Sequence, residues 1–235
     1  MAKAPLGKLH PGAIGMVELP RLDPKIVEGF LALEDLTGTT SDALDECGIA
    51  GAVAATMLRP TDPAARVAGR ALTVLNRKSP ERRKVSGLAD IEAHNLAQPG
   101  DVLVVQGVAD ISSMGGVSAS IGKRQGEIGA IVDGAVRDID HSRRIGYPIW
   151  SAGVSPITGK WRIETMAVNR PVHIAGIEVK PGDVALADEC GVCFVPRERA
   201  AEVLGVAQRL AASEARRLRA LAEGILLAEF VKIPR

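Results

Sequence analysis

The chain has 235 residues, 46% of them hydrophobic and 3% aromatic, which supplies enough apolar material for one large core. Its 29 basic and 28 acidic residues leave a formal net charge of +1, so neither nucleic acid nor an anionic membrane is expected as a partner. Three cysteines make no disulfide framework, no apolar run approaches a membrane span, and residues 1–19 lack a leader-like apolar segment, so we expect a cytoplasmic protein.

Hydrophobic periodicity predicts alternating helices and strands behind a Pro- and Gly-rich arm. In chain order the elements of the first half are an arm over 1–24, helices over 23–36 and 39–51, a strand over 66–76, and a helix, Pro-Gly turn and strand over 87–107. The second half adds a short helix ended by Gly126, a buried strand over 129–133, a helix over 138–145, β segments after Trp150 and a helical tail over 197–230. This order predicts one layered α/β domain over 1–235.

Two adjacent glycines, Gly115 and Gly116, precede the short helix that Gly126 ends. Glycines let the backbone approach a ligand closely, and the start of a helix leaves N–H groups unpaired, so a carboxylate could bind there. An ordinary Gly-rich turn with hydrated amides explains the same residues equally simply.

Arg137 and Asp138 directly follow the buried strand, where α/β folds place their ligands. A guanidinium can clamp a carboxylate or a keto-acid oxygen, and Asp138 with His141 could hold a divalent metal. The alternative is structural: Asp138 caps the following helix, and Asp140 pairs with Arg144 on its solvent face.

Three further features have structural interpretations. We expect Cys190 and Cys193 to be buried thiols in a strand, because a lone CxxC is weak evidence for zinc. His94 ends a helix, where it would meet free carbonyls. The basic cluster over 76–84 lacks aromatic residues and is typical of a solvated loop.

Several segments together resemble the RraA-like family (regulator of ribonuclease activity A), which is similar to metal-dependent 4-hydroxy-4-methyl-2-oxoglutarate and 4-carboxy-4-hydroxy-2-oxoadipate aldolases. They are "TTSDALD", "VAGRALTV", "GDVLVV", "GAIVDGAVRDID", "GYPIW" and "VKPGDVALADECGVCFVP". The resemblance covers about residues 36–205. It implies a swivelling β/β/α fold, with the arm 1–24 and the long C-terminal helix outside the core, homotrimers or hexamers, and active sites between subunits.

The resemblance also assigns roles to individual residues. Twenty residues separate Gly116 from Arg137, as the family pattern requires, so Arg137 matches the substrate-holding arginine and Asp138 the metal-site aspartate. The amides of Val117 and Ser118 match those that receive a pyruvate carboxylate. The sequence departs at His141, where members with glycine at the position of Gly116 carry an acid; imidazole could replace it and shift the metal preference.

The resemblance implies a divalent-metal-dependent lyase that cleaves or decarboxylates a short 2-oxo dicarboxylic acid through a pyruvate enolate. The aldolase and the oxaloacetate decarboxylase reactions share that enolate. The expected metal is Mg²⁺ or Mn²⁺, with Zn²⁺ as an option through His141. The alternatives are a non-catalytic protein that regulates a ribonuclease, and a hydratase or diketo-acid hydrolase on the same fold.

Overall fold

A computed structural model describes residues 3–82 and 86–234 of the chain. The α-helices of these residues are α1 (Pro24–Leu31), α2 (Leu36–Glu46), α3 (Asp90–Leu96), α4 (Gly116–Gln125), α5 (Ile139–Arg144), α6 (Ala200–Ala222) and α7 (Leu227–Phe230). The strands are β1 (Ala52–Ala54), β2 (Arg59–Pro60), β3 (Val67–Lys78), β4 (Asp101–Gln106), β5 (Ser112–Met114), β6 (Gly129–Val136), β7 (Ile149–Val154), β8 (Ile163–Val168), β9 (Val172–Ile174), β10 (Ile177–Val179), β11 (Val184–Asp188) and β12 (Gly191–Val195).

Ten of these strands form one mixed sheet, whose main path runs β1-β12-β11-β3-β4-β6-β7-β2. β5 pairs with β6 and β8 with β3, off that path. The neighbours β3, β4, β6 and β7 run parallel, while β11, β12 and β1 are antiparallel. The carboxyl ends of the four parallel strands therefore share one edge of the sheet.

The central strands are buried on both faces, which explains their continuous apolar sequence. In β4, Leu103 and Val105 belong to the core beneath the helices, with residues of α3 and α4. The alternate residues Val102 and Val104 pack with β9 and β10, which pair as a second, two-stranded sheet. The layers are thus small sheet, large sheet and helices, so the predicted β/β/α architecture is confirmed.

A third core cluster joins α1, α2 and α6 to the antiparallel strands β11 and β12. α6 is the predicted long C-terminal helix, and the helical tail predicted over 197–230 consists of three helical elements. Residues Arg197–Arg199 form a separate 3₁₀ turn, and Gly224, at φ 80°, ends the helical path before α7. A glycine adopts that left-handed backbone without steric cost, so it separates the two helices.

The N-terminal arm lies on the body. Ile14 bridges to Val168 of β8, and the backbone N–H groups of Leu6 and Lys8 donate to the Glu92 carboxylate on α3. Within residues 3–82 and 86–234 no helix is long and apolar enough to cross a membrane.

The structure corrects the prediction for the two cysteines of the CxxC motif, and part of the basic cluster lies outside the residues that it describes. Cys193 is buried in β12, but Cys190 is exposed in the turn before that strand, so the prediction of two buried thiols is half wrong. A turn between antiparallel strands faces solvent, which the apolar run around it concealed. Arg83 and Lys84 of the basic cluster lie outside the described residues.

Candidate functional site

Arg137 and Asp138 follow β6 at the carboxyl edge of the parallel strands. The Arg137 N–H donates to the carbonyl of Met114 over 3.1 Å, so β5 holds the end of β6 beside the double glycine. Asp138 adopts a left-handed backbone (φ 56°, ψ 37°) at the N-cap position of α5. The side chains of this pair are 43% and 49% exposed, within reach of a ligand.

Gly115 and Gly116 form the start of α4 and lie against these two side chains. A Cβ added to Gly115 would sit 2.7 Å from Asp138 Oδ2 and 3.0 Å from Arg137 Cγ, and one on Gly116 would sit 3.1 Å from His141 Cδ2. The Gly116 N–H donates to Asp138 Oδ2 over 2.9 Å. The glycines are therefore needed because the site's side chains press onto the backbone.

The next two amides, of Val117 and Ser118, lie in the first turn of α4, where N–H groups have no acceptor within the helix. Gly115, the N-cap residue of α4, has no side chain that could accept hydrogen bonds from these two amides. With the positive end of the helix dipole, they favour an anion at this point.

These groups line a cleft of about 400 Å³. Its walls are α3, the first turn of α4, the end of β6 and the segment 158–160, with Asp90 and Lys160 among the lining residues. Arg137 and Lys160 add positive charge to that of the helix, and Asp90 and Asp138 place carboxylates beside it. The cleft can hold a small anion next to a cation.

His141 lies on α5 beside the start of α4. Its Nε2 is 2.8 Å from Ser120 Oγ, and the Ser120 hydroxyl also donates to the Gly116 carbonyl over 2.8 Å. Because that hydroxyl proton is directed to the carbonyl, Nε2 carries the hydrogen toward Ser120 and Nδ1 is left as the acceptor.

The residues fit a metal ion only in part. In the described portion of the chain no group of three or more His, Cys, Asp or Glu side chains is placed to hold one. Asp138 uses Oδ2 for its contacts with Gly116 and Arg137, which leaves Oδ1 for another ligand. One carboxylate with water and substrate oxygens suits Mg²⁺, whereas His141 Nε2 is engaged by Ser120.

The capping alternative for Asp138 is not what the structure shows. Asp138 occupies the N-cap position of α5 but makes no side-chain capping bond there. Its carboxylate caps the start of α4 instead, through Gly116. The pairing expected between Asp140 and Arg144 is also wrong. Asp140 Oδ1 instead lies 3.3 Å from Nη1 of Arg143, the residue before Arg144.

Sequence reasoning missed a buried polar chain behind the cleft. Tyr147 donates to Glu127 Oε2 (2.6 Å), Glu127 Oε1 contacts His94 Nδ1 (2.8 Å), and His94 Nε2 contacts Ser118 Oγ (2.8 Å). The Ser118 hydroxyl reaches Asp90 Oδ2 over 3.0 Å, at the cleft. The prediction that His94 meets free helix carbonyls is therefore wrong.

Burial and nearby charge both shift pKa values within this buried polar chain. The His94 ring is fully buried; its burial lowers the pKa, but the hydrogen bond and charge of Glu127, with Asp90, outweigh that and raise it above the ordinary value. Burial raises the pKa of Tyr147 well above its usual range, and the charge of Glu127 adds to this. The i,i+4 spacing of Asp90 and His94 was the one signal in the sequence, since Glu127 and Tyr147 are brought in by tertiary structure alone.

Comparisons with known proteins place this sequence and fold among relatives. A family model described as RraA-like, Aldolase/RraA, matches residues 37–194. "Protein DlpA" of Legionella pneumophila is 30% identical over 195 residues, which are 80% of this chain and 30% of DlpA. The chain thus spans less than a third of that relative's length.

A second relative and a solved structure match over most of both lengths. A Halalkalibacterium halodurans protein named "Putative 4-hydroxy-4-methyl-2-oxoglutarate aldolase" is 29% identical over 192 residues, 81% of this chain and 86% of the other. Streptomyces coelicolor RraAS2, described as an unusual member of the RNase ES inhibitor RraA protein family, superposes with a TM-score of 0.73. It shares 28% identity and covers 88% of this chain and 100% of its own.

Proposed function

Because the chain belongs to the RraA-like family, we propose that it is a divalent-metal-dependent lyase acting on a short 2-oxo dicarboxylic acid. The reaction is retro-aldol cleavage of the 4-hydroxy-4-methyl-2-oxoglutarate type, or decarboxylation of oxaloacetate. One observation carries the proposal: Arg137 packs across the double glycine beside the free amides of α4 and the carboxylate of Asp138.

The protein groups have distinct tasks in this reaction. The amides of Val117 and Ser118 receive the carboxylate next to the keto group, because they are the unpaired donors at the positive end of α4. Arg137 donates to the keto oxygen, where negative charge develops as the carbon–carbon bond breaks. Lys160, on another wall of the cleft, attracts the second carboxylate of the substrate.

Asp138 would hold the metal ion through its free Oδ1, with water and substrate oxygens as the other ligands. When bound, such an ion supplies Lewis-acid stabilisation of the enolate oxygen. His141 can join as a ligand only through Nδ1 while its Nε2 faces Ser120, and a preference for Mn²⁺ or Zn²⁺ over Mg²⁺ would support that role.

The test is pyruvate release from oxaloacetate and from 4-hydroxy-4-methyl-2-oxoglutarate by chelated protein, with Mg²⁺, Mn²⁺ or Zn²⁺ added back. Arg137→Ala should lower kcat/KM by about 100-fold or more, the usual loss of a preorganised donor to developing charge. Arg209→Ala, on the exposed side of α6, is the matched control and should retain the wild-type rate. Equal rates for wild type and Arg137→Ala would remove Arg137 from the mechanism.

A second function is supported by the similarity to RraAS2, whose family is described by inhibition of a ribonuclease. Under that proposal the chain binds a ribonuclease through its surface and needs neither metal nor Arg137. Co-purification of a ribonuclease, together with no turnover of either 2-oxo acid with any of the three metals, would reverse the order of the two proposals.

We also propose that the protein assembles as a homotrimer or hexamer. Val117 at the cleft and Val154 at the end of β7 are 77% and 63% exposed, which leaves apolar surface at the substrate-binding edge. Light scattering coupled to gel filtration tests this, and a monomer at micromolar concentration would contradict it.

A further inference from the structure

The polar chain behind the cleft has only one consistent assignment of protons while Asp90 and Glu127 are both ionised. An ionised carboxylate can only accept hydrogen bonds, so Asp90 accepts one from the Ser118 hydroxyl. Ser118 Oγ must then accept from His94 Nε2, because its own proton is used. The carboxylate of Glu127 likewise requires a proton on His94 Nδ1, so His94 carries both protons and is an imidazolium.

A second arrangement also keeps every contact while Glu127 stays ionised. If His94 is neutral, with its proton on Nδ1, Nε2 accepts from Ser118, and Asp90 must then be protonated to face the serine oxygen. The two arrangements differ by one proton, which moves from His94 to Ser118 while the Ser118 proton moves to Asp90. The buried imidazole and a carboxylate at the cleft thus share one proton through a single hydroxyl.

We propose that His94 stores a proton that Ser118 passes to Asp90, and that Asp90 delivers it to the methylene carbon of the pyruvate enolate. This inference rests on the proposed lyase function. Asp90 is the catalytic acid, because it lines the same cleft as Arg137 and the amides of α4. His94 and Glu127 are positioning residues, since both side chains are fully buried and the hydrogen bonds from His94 lead to Asp90 through Ser118.

The proton balance closes for oxaloacetate. Loss of CO₂ leaves the electron pair of the broken carbon–carbon bond in the enolate. His94 gives its Nε2 proton to Ser118 as Ser118 gives its own to Asp90, and Asp90 then transfers that proton to the enolate carbon, which becomes the methyl group of pyruvate. One proton from water entering at Asp90 returns along the same route and restores the imidazolium.

The surroundings of His94 favour a stored charge. The ring is fully buried, and its charged neighbours are Glu127 and Asp90, both acidic. Tyr147 donates to the second oxygen of Glu127. A third acid, Asp101, feels the charge of Glu127 and is itself paired with Arg70.

The first experiment reads the protonation of His94 without any assay of activity. The chain has four histidines, so ¹⁵N-histidine spectra of the whole protein from pH 5 to 9 can be assigned with one His→Gln variant for each. We expect His94 to keep both ring protons above the ordinary imidazole pKa of about 6.5, and Glu127→Gln to lower the titration midpoint of His94. A singly protonated His94 ring throughout that range would overturn the proposal, and this wild-type measurement stands even if Glu127→Gln does not fold.

The second experiment separates proton delivery from bond cleavage. Deuterium exchange at the methyl group of pyruvate in D₂O runs the relay in reverse, whereas CO₂ release from oxaloacetate does not need the enolate to be protonated. Ser118→Ala removes only the hydroxyl link and should lower exchange at least tenfold, within the range of general acid catalysis, while CO₂ release falls less than about threefold. The buried serine of α6 gives the control, since Ser213→Ala should leave both rates unchanged.

The outcomes distinguish this inference from the function on which it rests. Equal losses of exchange and CO₂ release in Ser118→Ala would make Ser118 merely structural and overturn the relay. Wild-type protein that releases neither CO₂ from oxaloacetate nor pyruvate from 4-hydroxy-4-methyl-2-oxoglutarate with any of the three metals would instead overturn the lyase proposal and with it the delivery step. The histidine spectra would then still decide whether His94 stores a proton.

Discussion

The two sides of α4 handle charge in opposite ways. On the cleft side, Arg137 and Asp138 are about half exposed and are held by few contacts. On the interior side, His94 and Glu127 are fully buried and joined directly. The comparison indicates that one short helix has charged groups available to a ligand on one side and charged groups paired with each other on the other side.

The physical cause of the difference is solvation. Water stabilises a half-exposed charge whether or not a partner is present, so substitutions there should affect ligand binding more than folding. A buried charge depends on its partner, and removing one member leaves the other unpaired in the core. Variants on the two sides should therefore separate activity from stability.

The largest expected effect is on the interior side. Glu127→Ala leaves the His94 imidazolium and the Tyr147 hydroxyl without their acceptor, so we expect the free energy of unfolding to fall by about 3–5 kcal/mol. Urea denaturation measures it. A loss below about 1 kcal/mol would mean that the buried groups are not a charged pair and would weaken the contrast between the two sides.

On the cleft side, Asp138→Asn should lower activity strongly and leave stability nearly unchanged. Asparagine tolerates the left-handed backbone and can still accept from Gly116, so unfolding should change by less than about 1 kcal/mol. Metal-dependent pyruvate release should fall by about 100-fold, because the charge that holds the ion is lost. Full activity in this variant would show that the ion is held elsewhere.

Gly122 of α4 and its N-cap residue Gly115 provide a matched pair. A Cβ on Gly122 would sit 2.3 Å from Glu127 Oε2 and 2.9 Å from the Tyr147 hydroxyl, so Gly122→Ala should cost about 1–3 kcal/mol of stability by overpacking. Gly115→Ala meets the half-exposed Asp138 carboxylate, which can move aside. We expect about tenfold lower activity and little change in stability from it, and the opposite ranking in the two assays would refute the comparison.

The smallest effect is on the pH dependence of stability. The pKa of His94 is raised in the folded protein, so the folded state holds this proton more tightly and gains stability that is complete below the ordinary pKa of about 6.5. That stability is lost as the pH rises through the folded value. Denaturation between pH 6 and 9 should show the decline in wild type and in His173→Gln but not in Glu127→Gln.

The sequence predicted the parts of the molecule that depend on neighbours in the chain. Apolar runs marked the buried parallel strands, Gly126 marked the end of α4, and the double glycine was placed before the helix that it begins. The β/β/α layers followed from the resemblance together with this order of elements. Boundaries failed where packing decides them: α1 ends at Leu31, although helical spacing continues to residue 36, because the core buries Leu33 in the turn that follows.

The candidate site divides along the same line. Arg137 and Asp138 could be placed beside Gly115 because strand ends and helix starts meet at one edge of a parallel sheet. The partners of His94 could not, since Glu127 lies 33 positions away and Tyr147 a further 20, with nothing local to pair them. Likewise Asp133 could have faced the cleft, but it accepts from the Ala175 backbone N–H in a turn.

The left-handed backbone at position 138 has a consequence for how this site can vary. Glycine adopts such dihedral angles because it has no Cβ, and asparagine and aspartate do so because their short polar side chains can hydrogen-bond locally, whereas a longer acid would cost about 1–2 kcal/mol. Of the three tolerated residues only aspartate is negatively charged. The backbone at position 138 thus favours aspartate among the acidic residues, and a second acid for this site would have to lie at a different position.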